Sequence, residues 1–82
     1  MYEKVGDKIK VLAVFEGGAV IPKIFKWKDR IYKIKNVNLA YQEREGRSIN
    51  YYYSVDCLDG GVFKLCYNDE KLTWTIEEFW VD

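Results

Sequence analysis

"KIFKWKDRIYKIK", residues 23–35, sets a lysine or arginine beside almost every aromatic or aliphatic side chain, six basic residues against Asp29. Basic residues interleaved with aromatics suit a nucleic-acid-binding surface. The same string also suits a strand hairpin with one wet side and one dry side. Side chains alternate faces along a strand, so parity separates the two readings. Phe25 and Trp27 share one face of the first half, and Tyr32 and Ile34 share one face of the second. A two- or four-residue turn about Asp29-Arg30 pairs Trp27 with Tyr32 and Phe25 with Ile34. The opposite face then carries Lys26 across from Lys33, Lys28 across from Ile31, and Ile24 across from Lys35. The stretch reads as an amphipathic β-hairpin with its rings toward a core and its lysines toward solvent.

The same logic extends along the chain. Period-two alternation is broken by turn residues every 8–12 positions, which predicts a small all-β fold. "KIKVLAVF" (8–15) reads as a first strand with Ile9, Val11, Ala13 and Phe15 on one side. Leu12 and Val14 make its other side apolar too, which predicts a central or doubly covered strand. Pro22 marks an edge or a bulge at the start of 20–27. Residues 31–43 are long for one strand and predict a bend or bulge near Asn36 to Asn38. Strands at 48–58, 62–67 and 72–80 follow, the last with Leu72, Trp74 and Ile76 inward. Residues 77–82 could instead close as a short helix. "DGG" at 59–61 is the clearest hairpin signal. As a three-residue loop it pairs Leu58 with Val62 and Cys57 with Phe63, which turns Cys57 inward and Cys66 outward.

The fold class expected is therefore an all-β antiparallel meander of about six short strands, strongly curled or closed as a small SH3-like barrel. A flat sheet would leave two bare edges. At 82 residues the chain reads as a single domain, 1–82. Hydrophobic residues make up 49% and aromatics 17%, enough large rings to give a small domain a real core.

The sequence removes most chemistry. It has no histidine, hence no Ser-His-Asp or Cys-His arrangement. No phosphate-cradling glycine motif is present, and "EGGA" and "DGGV" read as turns. Two cysteines without histidines do not complete a zinc site on one chain. The carboxylate pairs Glu43/Glu45, Asp69/Glu70 and Glu77/Glu78 read as solvated charges. The expectation is a non-enzyme with no cofactor, no metal and no small-molecule substrate. No apolar run approaches the ~20 residues that cross a bilayer, and "MYEKVGDKIK" lacks a signal-peptide core, so no membrane association and a cytoplasmic location are expected.

Charge is balanced overall but split, with +5 over residues 1–38 and −5 over 39–82. Lys26 opposed to Lys33 would destabilise the hairpin. Either an acidic partner offsets it, or Glu43, Glu45, Glu77 or Glu78 on neighbouring strands do. The candidate binding surface is Lys26, Lys28, Lys33 and Lys35 with Ile24, Ile31 and Tyr52, the last being the one ring expected on an exposed face. The primary reading is an interaction module that meets a protein partner, or a second copy of itself, through a sheet face or edge. The alternative is binding of nucleic-acid phosphates by the same four lysines.

"FKWKDRIYKIKNV" also resembles the F-x-W-[KR]-x-R-x-Y-x-[IV] opening of a family of small bacterial domains of unknown function. "YYSVDCLDGGVFKLCYN" and "WTIEEFW" resemble that family's later segments, so the likeness spans roughly residues 21–80. Asp29 stands where glycine is commoner in the pattern, and the 41–48 connection is short. The resemblance implies no activity and transfers no functional residue.

Overall fold

The computed structural model describes residues 2–80. Six antiparallel strands follow one another in meander order and close into a barrel: β1 (Tyr2–Glu16), β2 (Ala19–Trp27), β3 (Arg30–Glu45), β4 (Ser48–Cys57), β5 (Val62–Asn68) and β6 (Thr73–Trp80). The barrel closes where β6 pairs with the first half of β1, from Tyr2↔Trp80 to Ile9↔Trp74. No helix forms at 77–80, which belong to β6; residues 81–82 lie outside the described residues.

Alternation builds the core. Phe25, Trp27, Tyr53, Val55, Cys57, Phe63, Leu65, Tyr67 and Ile76 are buried together. Phe25 stacks on Tyr32 at 4.9 Å and meets Phe63 edge-on at 5.2 Å, while Trp27 meets Phe79 at 5.2 Å. A second aromatic group, Tyr53, Trp74 and Tyr67, fills the other end. Full burial of each large apolar side chain stabilises the fold by about 1.5–3 kcal/mol, so the rings carry the barrel.

Two strands are longer than the sequence pattern suggests. β1 spans 15 residues and β3 spans 16. The stretch 2–7 belongs to β1 because Gly6, at φ 92°, absorbs a register shift between Lys4 and Asp7 and lets the strand continue. β3 stays one strand by taking two register shifts, at 34–36 and 37–39, where a bend was expected. A further shift lies between Leu12 and Ala13 of β1, opposite Ile24 and Pro22, the position that Pro22 marked.

Both central hairpins turn earlier than predicted. Lys28 and Asp29 have φ values of 51° and 62°, the paired left-handed conformation of a two-residue type I′ turn. The register is therefore Trp27↔Arg30, Phe25↔Tyr32, Lys26↔Ile31 and Ile24↔Lys33. Trp27 does not pair with Tyr32, nor Phe25 with Ile34, nor Lys28 with Ile31, nor Ile24 with Lys35. Likewise Gly60 N donates to Cys57 O at 3.0 Å and Cys57 N to Gly61 O at 3.2 Å, closing the β4–β5 turn around 58–60. Val55, not Cys57, then stands opposite Phe63. Each slip is two residues in pairing, so every side chain keeps its face while its partner changes. Cys57 faces the core and Cys66 lies on the other face, yet Cys66 is also buried, between Tyr52 of β4 and Thr75 of β6.

Two further expectations fail on exposure. Leu12 (66%) and Val14 (41%) are open to solvent, so that side of β1 is uncovered, and Phe15 at the end of its other side is 71% exposed as well. Leu72 precedes β6 with φ 56° and is 71% exposed, outside the core.

Candidate functional site

Past Ile24 and Lys33, β2 and β3 part. Their ladder runs over four residue pairs only, whereas β3 continues against β4 to Glu45↔Ser48 and β2 continues against β1 to Glu16↔Ala19. The cause is local: β2 bends where Lys23 is skipped in its pairing with β1, and β3 bends at the shifts beginning at Ile34. Bulges bend a strand and increase its twist, so the two hairpin arms splay, consistent with a molecule 37 Å long and 23 Å across. Among the described residues no strand pairs with the far edge of residues 19–23 or of 36–45. Between these edges lies a cleft of about 420 Å³ lined by Val20, Pro22, Val37, Ala40, Tyr51 and Tyr53, with Gln42 as its polar side chain besides the tyrosines. It continues the barrel interior, since Ala40 opposes Tyr53 and Gln42 opposes Tyr51 in the β3–β4 ladder.

The outer face of β1, β2 and β3 holds most of the predicted surface. Across it, Leu12, Ile24 and Lys33 form one row and Lys10, Lys26 and Ile31 the next. Lysine and isoleucine alternate between β2 and β3, whereas like meets like between β1 and β2: Lys26 is opposed to Ile31 on one side and to Lys10 on the other, not to Lys33. Ile31 is 52% exposed and Ile24 half-buried. Lys28 sits in the turn with its Nζ 4.9 Å from the Trp27 ring. Lys35 falls at the β3 register shift, without a Cα partner in β4. The carboxylates expected to balance the hairpin lie elsewhere: Glu78 opposes Lys64 and Lys4, and Glu43 opposes Asn50.

Lys8 and Lys10 are the residues that parity in one hairpin could not supply. β1 pairs with β2 from Lys10 onward and with β6 up to Ile9, so a fork opens there. Trp27 Nε1 donates to Asp7 Oδ2 across the fork at 3.0 Å. Lys8, Lys10, Lys26 and Lys28 line a hollow of about 360 Å³ at this point, with Asp29 its acidic residue.

Tyr52 belongs to a different wall. It is half-buried and stacks on Tyr41 at 5.0 Å, with the Lys64 Nζ 5.1 Å from the Tyr52 ring and 5.5 Å from that of Tyr41. A hydrogen bond to Tyr41 holds Lys64 above the ordinary lysine value, and burial pushes Tyr52 above that of a free tyrosine. The ring faces are occupied by one another and by Lys64, which makes this a structural cluster. Cys57 and Cys66 are free thiols whose values burial pushes up to about 11. Thiolates are the reactive form, so these sulfurs are inert near neutrality. Among the described residues no group of three His, Cys, Asp or Glu side chains could hold a metal, and no helix is long and apolar enough to cross a membrane. No family model, curated protein or solved structure matches the chain.

Proposed function

We propose that this protein is a non-catalytic interaction module of the cytoplasm that captures an extended segment of a protein partner as an added strand between β2 and β3. The carrying observation is the pair of unpaired strand edges facing each other across an apolar cleft. Unpaired edges present rows of N–H and C=O groups and template a further strand. In such complexes main-chain hydrogen bonds supply affinity, and pockets for alternate side chains supply specificity. Val20, Pro22, Val37 and Ala40 suit small or branched apolar side chains entering every second position. Pro22 offers no N–H, so residues 36–42 of β3 supply the more continuous edge.

The test uses an alternating Val-Thr peptide of about ten residues, and the same peptide N-methylated at every amide, since successive amides face opposite edges. Hydrogen exchange read by NMR is expected to show new protection at residues 19–23 and 36–42 with the first peptide and none with the second. An N-methylated peptide that binds equally well, or a first peptide that protects neither edge, rules out strand addition. Ala40→Lys, which places a charge in the cleft, is expected to weaken binding at least tenfold.

A further inference from the structure

Independently of the cleft, we infer that the fork between β1 and β2 is a binding site for the phosphate backbone of a nucleic acid, held by Lys8, Lys10, Lys26 and Lys28. Three observations converge. The four lysines line one hollow although they come from two strands and a turn. Lys10 and Lys26 stand directly opposite each other, an arrangement that costs stability and is relieved by an anion between them. Nearby carboxylates offset the site only in part: Asp7, which accepts the Trp27 indole hydrogen bond at the fork, and Asp29 in the hollow set two negative charges against four lysines.

The form of the site indicates the ligand. Lys8 and Lys10 lie two residues apart on one strand, a spacing of about 7 Å, so the charge forms a stripe and not a single point. Lysines act as point charges, and the hollow contains no arginine fork of the kind that grips one phosphoryl group bidentately. A stripe of point charges suits a repeating polyanion better than a phosphopeptide. No aromatic ring lines the hollow, since Trp27 is buried and its indole engaged, so bases have no platform on which to stack. Binding is therefore to the backbone and independent of sequence.

Fluorescence anisotropy with a labelled duplex of about 20 base pairs and an oligo-thymidine strand of about 20 nucleotides tests this. Four phosphate contacts give a slope of log affinity against log salt of about −3.6 for duplex and about −2.8 for the single strand. Between 50 and 200 mM salt that is a weakening of about 150-fold for duplex or about 50-fold for the single strand. The relative affinity of the two probes shows which form of nucleic acid the fork prefers, and binding of either with its slope supports the site. Lys10→Gln with Lys26→Gln is expected to halve the slope, while Lys71→Gln, on the β5–β6 turn, leaves it unchanged. An unfolding midpoint no lower than that of the parent shows that the double variant is folded. No binding at 50 mM salt, a slope that the double variant leaves intact, or tighter binding of a phosphoserine peptide at equal salt overturns the assignment.

Discussion

Lys26 stands directly across from Lys10 in the β1–β2 ladder, both side chains exposed on the outer wall of the barrel. Like charges so placed destabilise a sheet on the scale of cross-strand pairs, roughly 0.2–1 kcal/mol. Lys10→Glu converts the pair to opposite charges and is expected to raise stability by about 0.5–1 kcal/mol in urea unfolding at low salt. The gain should shrink in 1 M salt, where the screening length is about 3 Å. The same substitution removes a proposed phosphate contact, so stability and nucleic-acid affinity are expected to move in opposite directions.

Asn68 ties the turns at the splayed end together. Its amide nitrogen donates to Asn50 Oδ1 at 2.7 Å and Ser48 Oγ at 3.3 Å, and its oxygen accepts from the Lys71 and Glu70 amides at 2.8 and 3.1 Å. Asn50 in turn donates to Glu45 Oε2 at 2.9 Å. Asn68→Ala leaves buried Ser48 and Asn50 short of a partner and is expected to cost about 1–3 kcal/mol. Asn38→Ala, which removes an exposed bond to Asp56 of similar length, should cost less than about 0.5 kcal/mol. Equal losses in chemical denaturation would count against the network.

Leu65 is fully buried, whereas Leu72 is 71% exposed. Leu65→Ala leaves a cavity among Val55, Phe63 and Ile76 and should destabilise the barrel by about 2–5 kcal/mol. Leu72→Ala should stay within about 0.5 kcal/mol. Thermal unfolding of the two variants side by side checks the assignment of the inner face of β5.

The thiols predict a loss of stability in alkali. Cys57 and Cys66 titrate near 9 when unfolded and are pushed up to about 11 in the barrel, because burial penalises the thiolate. Folding is therefore favoured by the neutral form: the contribution is complete below pH 9 and is lost as pH rises toward 11. Burial raises Tyr52 and Tyr53 above 10, which acts in the same direction at higher pH. Urea midpoints are expected to fall between pH 8.5 and 10.5, and to fall less for Cys57→Ala with Cys66→Ala. Thiol-reactive dye at pH 8 should label the native protein far more slowly than the unfolded chain.

Parity made most of the barrel legible. Phe25, Trp27, Tyr53, Val55, Phe63 and Ile76 face inward as the alternation requires, and the β3 bulges fall where the length of 31–43 demanded a bend. Partners were less legible than faces. Lys-Asp is an unusual pair for a type I′ turn, which favours Asn-Gly or Asp-Gly, so the hairpin signal pointed one residue too late. That slip set Lys33, and not Ile31, opposite Lys26. The lysine hollow was illegible for a different reason: it sets Lys8 and Lys10 of β1 beside Lys26 and Lys28 at the end of β2, a β1–β2 juxtaposition that alternation within one hairpin does not give. The cleft also required tertiary information, because an unpaired edge is a property of what the neighbouring strand does elsewhere.

The pairing of Tyr2 with Trp80 places the two ends of the described chain side by side at one end of the closing ladder. Tension applied through them would load the β1–β6 hydrogen bonds in succession, from that pair toward Ile9↔Trp74, and not all together. The barrel is thus closed at a seam that its own two ends can peel open pair by pair. Force pulling on its ends would unzip that seam before disturbing the β3–β4 ladder, where the splayed arm and its asparagine clasp reside.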